Sequence, residues 1–216
     1  MQIRSDVPYI PDSELEAAAN TLLDRYGREV ELVRSLPAPV DQIAEILLNL
    51  RFDWTEIADD DDCPTLAAIA PASRTIYLNE RRKALFDSYF GCREFSVAHE
   101  LGHHELHLVT GELEQLALSD VPVPVCLCRR RLNDIDRREL QAERFASFLL
   151  LPSHLLLPAI DGRDLLQWPT LYHLRDAFHV SISALTYRLQ GLGKIYVKDK
   201  TLYPSEAVAN GQLSLL

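Results

Sequence analysis

The chain has little cysteine, only Cys63, Cys92, Cys126 and Cys128 in 216 residues. That excludes the small scaffolds that replace a core with disulfides. It also lacks a cationic surplus: Lys plus Arg is 22, Asp plus Glu is 32, and the formal net charge is -10. A general nucleic-acid binder carries a basic footprint, so direct nucleic-acid binding is not expected, although a local patch could hide in an acidic total. No apolar run approaches the ~20 residues of a spanning helix. The longest, Phe145 to Leu151, is interrupted by Ser147 and stops at Pro152. Met1 to Pro8 is polar and charged, without the apolar core of a secretory leader. No membrane association is expected, and the chain reads as cytoplasmic with reduced thiols. Neither an internal repeat nor a low-complexity tract is visible. What remains is a globular composition, 47% hydrophobic and 25% charged, long enough to bury a sizeable core in one to two domains by the ~150-residue prior.

Local patterns divide the chain. Asp12 to Tyr26 carries Leu15, Ala18, Ala19 and Leu22 at helical spacing, with Pro11 and Asp12 as a start signal and Gly27 as a stop. After the break at Pro37-Ala-Pro39, Ile43, Ile46, Leu47 and Leu50 form a second helical stripe. Leu66–Ala70 and Thr75–Leu78 are short β-prone runs separated at hairpin distance. Asp59 to Asp62, four like charges in a row, read as a solvated loop. The last dozen residues are mostly small and polar and are expected to be loosely ordered.

The run Phe95-Ser-Val-Ala-His99-Glu100-Leu-Gly-His103 contains His-Glu-x-x-His. Residues four apart on a helix share a face, about 40° round and ~6 Å along the axis. His99 and His103 can therefore aim at one metal, with Glu100 beside its open side as a general base. This is the zincin arrangement, in which a Lewis-acid Zn2+ lowers the pKa of a water toward ~7. The bland alternative is a polar helix face that happens to hold two histidines. Phe95, Val97, Ala98, Leu101 and Leu106 make the helix apolar round much of its girth, and unpaired buried polar groups are costly. Gly102 costs about 1 kcal/mol relative to Ala in mid-helix, and its missing side chain permits another segment to approach closely. His104 points about 100° away, and His107 lies ~12 Å along the axis from His99, so neither joins the same metal.

A third ligand is expected from the segment Asp136 to Pro152. Ala142, Ala146, Leu149 and Leu150 make an inward stripe, which Glu139 and Glu143 extend. Carboxylates on such a stripe are anomalous unless a cation meets them. Glu139 would bind the metal, and Glu143 would accept the outer N–H of a ligating histidine. Two alternatives stay open: Glu143 as the ligand, or Glu139 closing a capping box with Asp136.

Ser96-Val-Ala-His-Glu-Leu-Gly-His103, followed by Glu139-Leu-Gln-Ala-Glu143-Arg-Phe-Ala146-Ser-Phe-Leu-Leu-Leu-Pro152, resembles the ImmA/IrrE family of zinc metallopeptidases. This chain has Glu143 where Asn or Asp is usual. The resemblance implies that zinc is bound by His99, His103 and Glu139, and that Glu100 is the base. It further implies a protein substrate, a helix-turn-helix transcriptional repressor encoded nearby. The expected fold is α+β: a zincin-like core with a small antiparallel sheet packed on the zinc-binding helices, and a helical C-terminal part. The expected organisation is an N-terminal helical extension (1–38), a metallopeptidase core (39–160), a helix-turn-helix-like subdomain (161–200) and a tail (201–216).

Weaker signals remain. Cys126 and Cys128 could offer a thiolate to the open metal position, but two small side chains in a loop is the plainer reading. Arg129 to Arg131 with Arg137 and Arg138 is the one basic cluster, and Asp134 and Asp136 interleave it. Leu171 to Gln190 reads as helix, turn, helix with Ser181 as an N-cap. Its second helix offers only Arg188 for phosphate contacts, so a structural or substrate-docking role is preferred to DNA binding. Tyr172, His173 and Tyr187 are candidates for stabilising an oxyanion. The competing functional reading is a non-catalytic zinc protein that binds a repressor or DNA, and the presence of Glu100 speaks against it.

Overall fold

In the computed structural model, residues 8–30, 36–59, 65–108, 123–126 and 137–211 are described. The expectations for Asp60 to Asp62, Cys63, Cys128, Arg129 to Arg131 and the Asp136 cap fall outside them, and of Cys126 only the backbone is described.

Helix α1 (Asp12–Glu29) buries Leu15, Ala19, Leu22 and Tyr26, one stripe at helical spacing. It does not stop at Gly27. Tyr26 is buried and its hydroxyl meets Gln42, and that anchorage outweighs the ~1 kcal/mol that a helical glycine costs. Helix α2 (Val40–Gln42) continues as a π-helical turn, Ile43–Leu47. Strand β1 (Arg51–Thr55) follows, then β2 (Thr65–Ala70) and β3 (Thr75–Asn79), joined by the turn at Pro71 to Arg74. Asn79 closes the end of β3: its Nδ2 donates to the carbonyls of Ile57 (2.9 Å) and Thr65 (2.7 Å), and its Oδ1 accepts from the N–H of Ile57 and of Arg81.

The sheet runs in the order β1-β3-β2-β4, where β4 is Val123–Cys126. Strand β2 pairs antiparallel with both β3 and β4, as expected of a hairpin. Strand β1 instead lies parallel to β3, Phe52 opposite Ile76. The sheet is therefore mixed rather than purely antiparallel. The β2–β3 hairpin fills one edge of β3, so β1 takes the other. Every residue of β2 is buried, because strands flank it and helix α4 packs on it.

Helix α3 (Lys83–Ser88) leads into α4 (Cys92–His103), which is extended by a π-helical turn, His104–Leu108. Helix α5 (Arg137–Leu150) packs on α4 and on α1. Helices α6 (Ser153–Ile160), α7 (Trp168–Phe178) and α8 (Ile182–Gly191) follow. Ser181 caps α8, its Oγ accepting the Ala184 N–H at 3.1 Å. Strands β5 (Tyr196–Lys198) and β6 (Thr201–Tyr203) form a second, two-stranded sheet, and α9 (Glu206–Ala209) closes the described chain. One hydrophobic cluster runs from Leu15 in α1 through α4 and α5 to Leu202 in β6. Among the described residues no helix is long and apolar enough to cross a membrane.

Candidate metal centre

Helix α4 begins at a forced position. Gly91 has φ +75°, and a Cβ there would sit 2.6 Å from the Val180 backbone. Only glycine permits both the left-handed backbone and that approach. The turn between α7 and α8 is thereby pressed against the start of the helix that carries His99 and His103. Around it, Phe90 meets His179 edge-on at 4.5 Å, and His179 Nδ1 lies 3.2 Å from Glu94 Oε1.

Near its end, α4 meets α5 at a second glycine. A Cβ on Gly102 would lie 3.0 Å from Ala142 Cα and 3.1 Å from its carbonyl oxygen. Two small residues let the helix axes close together, and this is the close approach that the mid-helix glycine implied. The contact brings side chains of both helices to one point. His99 Nε2 and His103 Nε2 are 3.0 Å apart, and Glu139 sets its two oxygens 3.4 and 3.3 Å from them. Ligand atoms on a tetrahedral zinc stand about 3.3 Å apart, given bonds of about 2.0–2.2 Å. Among the described residues, His99, His103 and Glu139 are the group of potential ligands that converges in this way.

The electrostatics match that use. Burial pushes the His99 imidazole below its ordinary pKa, against the hydrogen bond to Glu139, so the neutral form that binds metals is favoured. Burial also opposes the Glu139 charge, yet the hydrogen bonds from His103 and His99 hold its carboxyl well below the usual range. Glu100 is fully buried. Both its carboxylate oxygens lack a hydrogen-bond partner, and the Ile69 N–H faces it without making a bond of normal geometry. Burial, then the charge of Glu139, raises its pKa well above the carboxylate range. An orphaned buried carboxylate next to converging ligands is a group whose partner is a bound species. The donor set and this orphan both fit a zinc ion with a water.

A family model for the IrrE N-terminal-like domain, Peptidase_M78, matches residues 50–190. The chain belongs to this family. The matched region takes in the sheet, both metal-site helices and the helix-turn-helix-like segment. No curated protein matches the chain. Among solved structures, a Mycobacterium tuberculosis transcriptional regulator is similar at 18% identity and a TM-score of 0.47, over 84% of this chain and 47% of that one. The chain thus spans about half of that regulator.

Other residues singled out by the sequence take different places. Glu143 is exposed and hydrogen-bonds neither histidine, so the stripe does not extend to it. At ~100° per residue, Glu143 stands just outside the arc that buries Phe145, Ala142, Ala146 and Leu150, while Glu139 lies within it. His107 does not join the ligand group but is buried, its Nε2 3.3 Å from the Arg138 carbonyl oxygen. Burial chiefly, with the charge of His103, pushes its pKa down to about 4. His104 is turned away toward Glu105, at 3.0 Å. Arg188 is 7% exposed and spent internally: it donates to the Leu151 carbonyl, to Ser153 Oγ and to Glu16 at 2.5 Å. Tyr172 and His173 are exposed on α7, and Tyr187 lines a groove beside Phe95. The sequence reading missed that groove, because its walls come from segments far apart in the chain.

Proposed function

We propose that this chain is a zinc-dependent endopeptidase of the cytoplasm that acts on a protein substrate. The observation that carries the reading is the meeting of His99, His103 and Glu139 beside the buried, unpartnered Glu100. His99, His103 and Glu139 would hold the metal. Bound there, zinc would supply Lewis acidity, acidifying a water and polarising a carbonyl. Glu100 would hold the attacking water, take its proton as the water adds to the scissile peptide carbonyl, and pass that proton to the departing amine. A carboxyl with a raised pKa is suited to both halves of this transfer. The packing of α4 on β2 excludes bulk water behind Glu100, and Glu139 keeps its own charge for the metal.

The family resemblance extends the reading to a helix-turn-helix repressor as substrate, cleaved to relieve repression. Direct DNA binding by the α7–α8 segment is disfavoured: Arg188 is buried in the core and the turn before α8 is packed on α4. Metal analysis of the purified chain should give one zinc, and Glu139→Ala should lose it. Glu100→Gln should keep the metal and abolish cleavage of a co-expressed repressor encoded beside it. Equal cleavage by wild type and Glu100→Gln would remove this site as the catalyst.

A further inference from the structure

A groove lined by Phe95 and Glu143 lies one helical turn from His99 on α4 and from Glu139 on α5. Its broad arm, about 750 Å3 in volume, is walled by Leu66, Tyr89, Phe90 and Phe95 and bounded by the start of α8 at Ser183. A narrower arm of about 170 Å3 continues past Phe95 and Ser183 to Tyr187 and Glu143. Phe95, Ser181 and Ser183 line both, so the two arms adjoin. Phe95 lies one helical turn before His99, its ring centroid 6.4 Å from the imidazole. Glu143 lies one turn after Glu139. On both helices the groove is thus ~6 Å along the axis from a metal ligand, a distance that one to two residues of extended polypeptide span at ~3.3 Å each.

The lining sets the chemistry. The broad arm is aromatic and aliphatic, and its size lies within the range of ligand pockets. Tyr89 is 63% exposed, Phe90 41% and Tyr187 43%. Large exposed aromatics gathered along one channel mark a surface that binds protein. Arg175 at the rim stacks on Phe90 and Tyr172 and shares its charge with Asp176. In the narrow arm Arg144 is taken up by Asp12 and by the Tyr187 ring. Glu143 has no ion-pair partner among the described residues, which leaves its exposed carboxylate as the uncompensated charge of that arm.

We infer that this groove is the substrate-binding channel, that its broad arm receives a bulky apolar side chain, and that Glu143 selects a lysine or arginine within two residues of the cleaved bond. The inference rests on the peptidase reading for the word substrate, but the groove's preference can be read by binding alone. It turns Glu143 from a support of the metal into a specificity residue.

The zinc-loaded full chain is incubated with a proteome-derived peptide mixture and the cut sites are read by mass spectrometry. In parallel, the Glu100→Gln chain is titrated with fluorescein-labelled peptides that carry Phe with Lys, Phe with Glu, or Ala with Lys. Wild-type cut sites should show a bulky apolar residue and a basic residue near the bond, and the Phe–Lys peptide should bind best. Glu143→Lys should lower kcat/KM for basic substrates about fivefold at low salt, and less at high salt, as an exposed ion pair would. It should shift the preference toward acidic residues and retain its zinc. Ser183→Trp, which fills the junction of the arms, should raise KM for apolar-bearing substrates about tenfold with a smaller change in kcat. Cleavage with a profile unchanged by both variants would overturn the groove and leave the peptidase reading standing. Selective binding without any cleavage by the zinc-loaded wild type would do the reverse. Neither binding nor cleavage would overturn both. Loss of zinc from Glu143→Lys would return Glu143 to the metal.

Discussion

Gly102→Ala tests the contact that assembles the metal centre. In an exposed helix this change adds about 1 kcal/mol of stability. Here the new methyl would stand 3.0 Å from Ala142 Cα, 3.1 Å from its carbonyl oxygen and 3.2 Å from Phe145 Cδ1. Carbon atoms pack best at about 3.5–4.0 Å, so α4 and α5 must part by roughly 0.5 Å or more. The nearest obstruction is backbone, which cannot rotate out of the way. Overpacking of this kind costs about 1–3 kcal/mol, so the expected net effect is a loss of up to ~2 kcal/mol. The effect on metal binding should be larger in proportion. Ligand positions tolerate about ±0.2 Å, and the parting separates Glu139 on one helix from His99 and His103 on the other. Zinc affinity is expected to fall at least about tenfold, the scale seen when a ligand's support is lost. Competition with a chromogenic chelator measures the affinity, and denaturant unfolding of the metal-free chain measures the packing term separately. A variant that binds zinc as the wild type does, and gains the ~1 kcal/mol of an exposed helical site, would refute the reasoning.

Gly91→Ala should be destabilising by about 3 kcal/mol or more, combining left-handed strain with a methyl driven into the Val180 backbone, and an unfolding free energy from denaturant titration within about 1 kcal/mol of wild type would deny that contact. Glu16 joins α1 to α8 through Arg188 and Ser153. Burial opposes its charge, but the Ser153 hydrogen bond and the Arg188 charge prevail and lower its pKa. A lowered folded pKa stabilises above the unfolded value, ~4.3, and that stability is lost as pH falls through the folded pKa. Glu16→Ala should therefore lose about 2 kcal/mol at neutral pH, with the gap to wild type narrowing in acid. A gap that is constant between pH 7 and the acid limb would contradict this account.

Helix positions were legible because they depend on spacing along one segment. The stripe of Leu15, Ala19 and Leu22, the Ser181 cap and the His-Glu-x-x-His face each follow from 3.6-residue periodicity or local hydrogen bonding, and each stands in the structure where the pattern places it. Glycine signals were read less well, because their meaning is set by neighbours from elsewhere. Gly27 has the local signature of a stop and lies inside α1, whereas Gly91 has no local signature and pins the α7–α8 turn to α4. The parallel pairing of β1 with β3 was likewise invisible, since strand order is decided by which edges other strands have already filled.

The sequence by itself determined the chemistry: two imidazoles on one helical face, a carboxylate beside them and another on a later helix. Sequence patterns favoured Glu139 as the partner of the imidazoles, and the tertiary structure shows that it is the carboxylate that meets them. Glu139 and Glu143 are one turn apart and alike in sequence, but the Gly102–Ala142 contact sets the rotation of α5 so that Glu139 meets the histidines and Glu143 faces the groove. A difference of about 40° round a helix is small beside the width of the apolar arc, so the spacing alone left both carboxylates open. It becomes a difference in surroundings once a second helix fixes which side is buried.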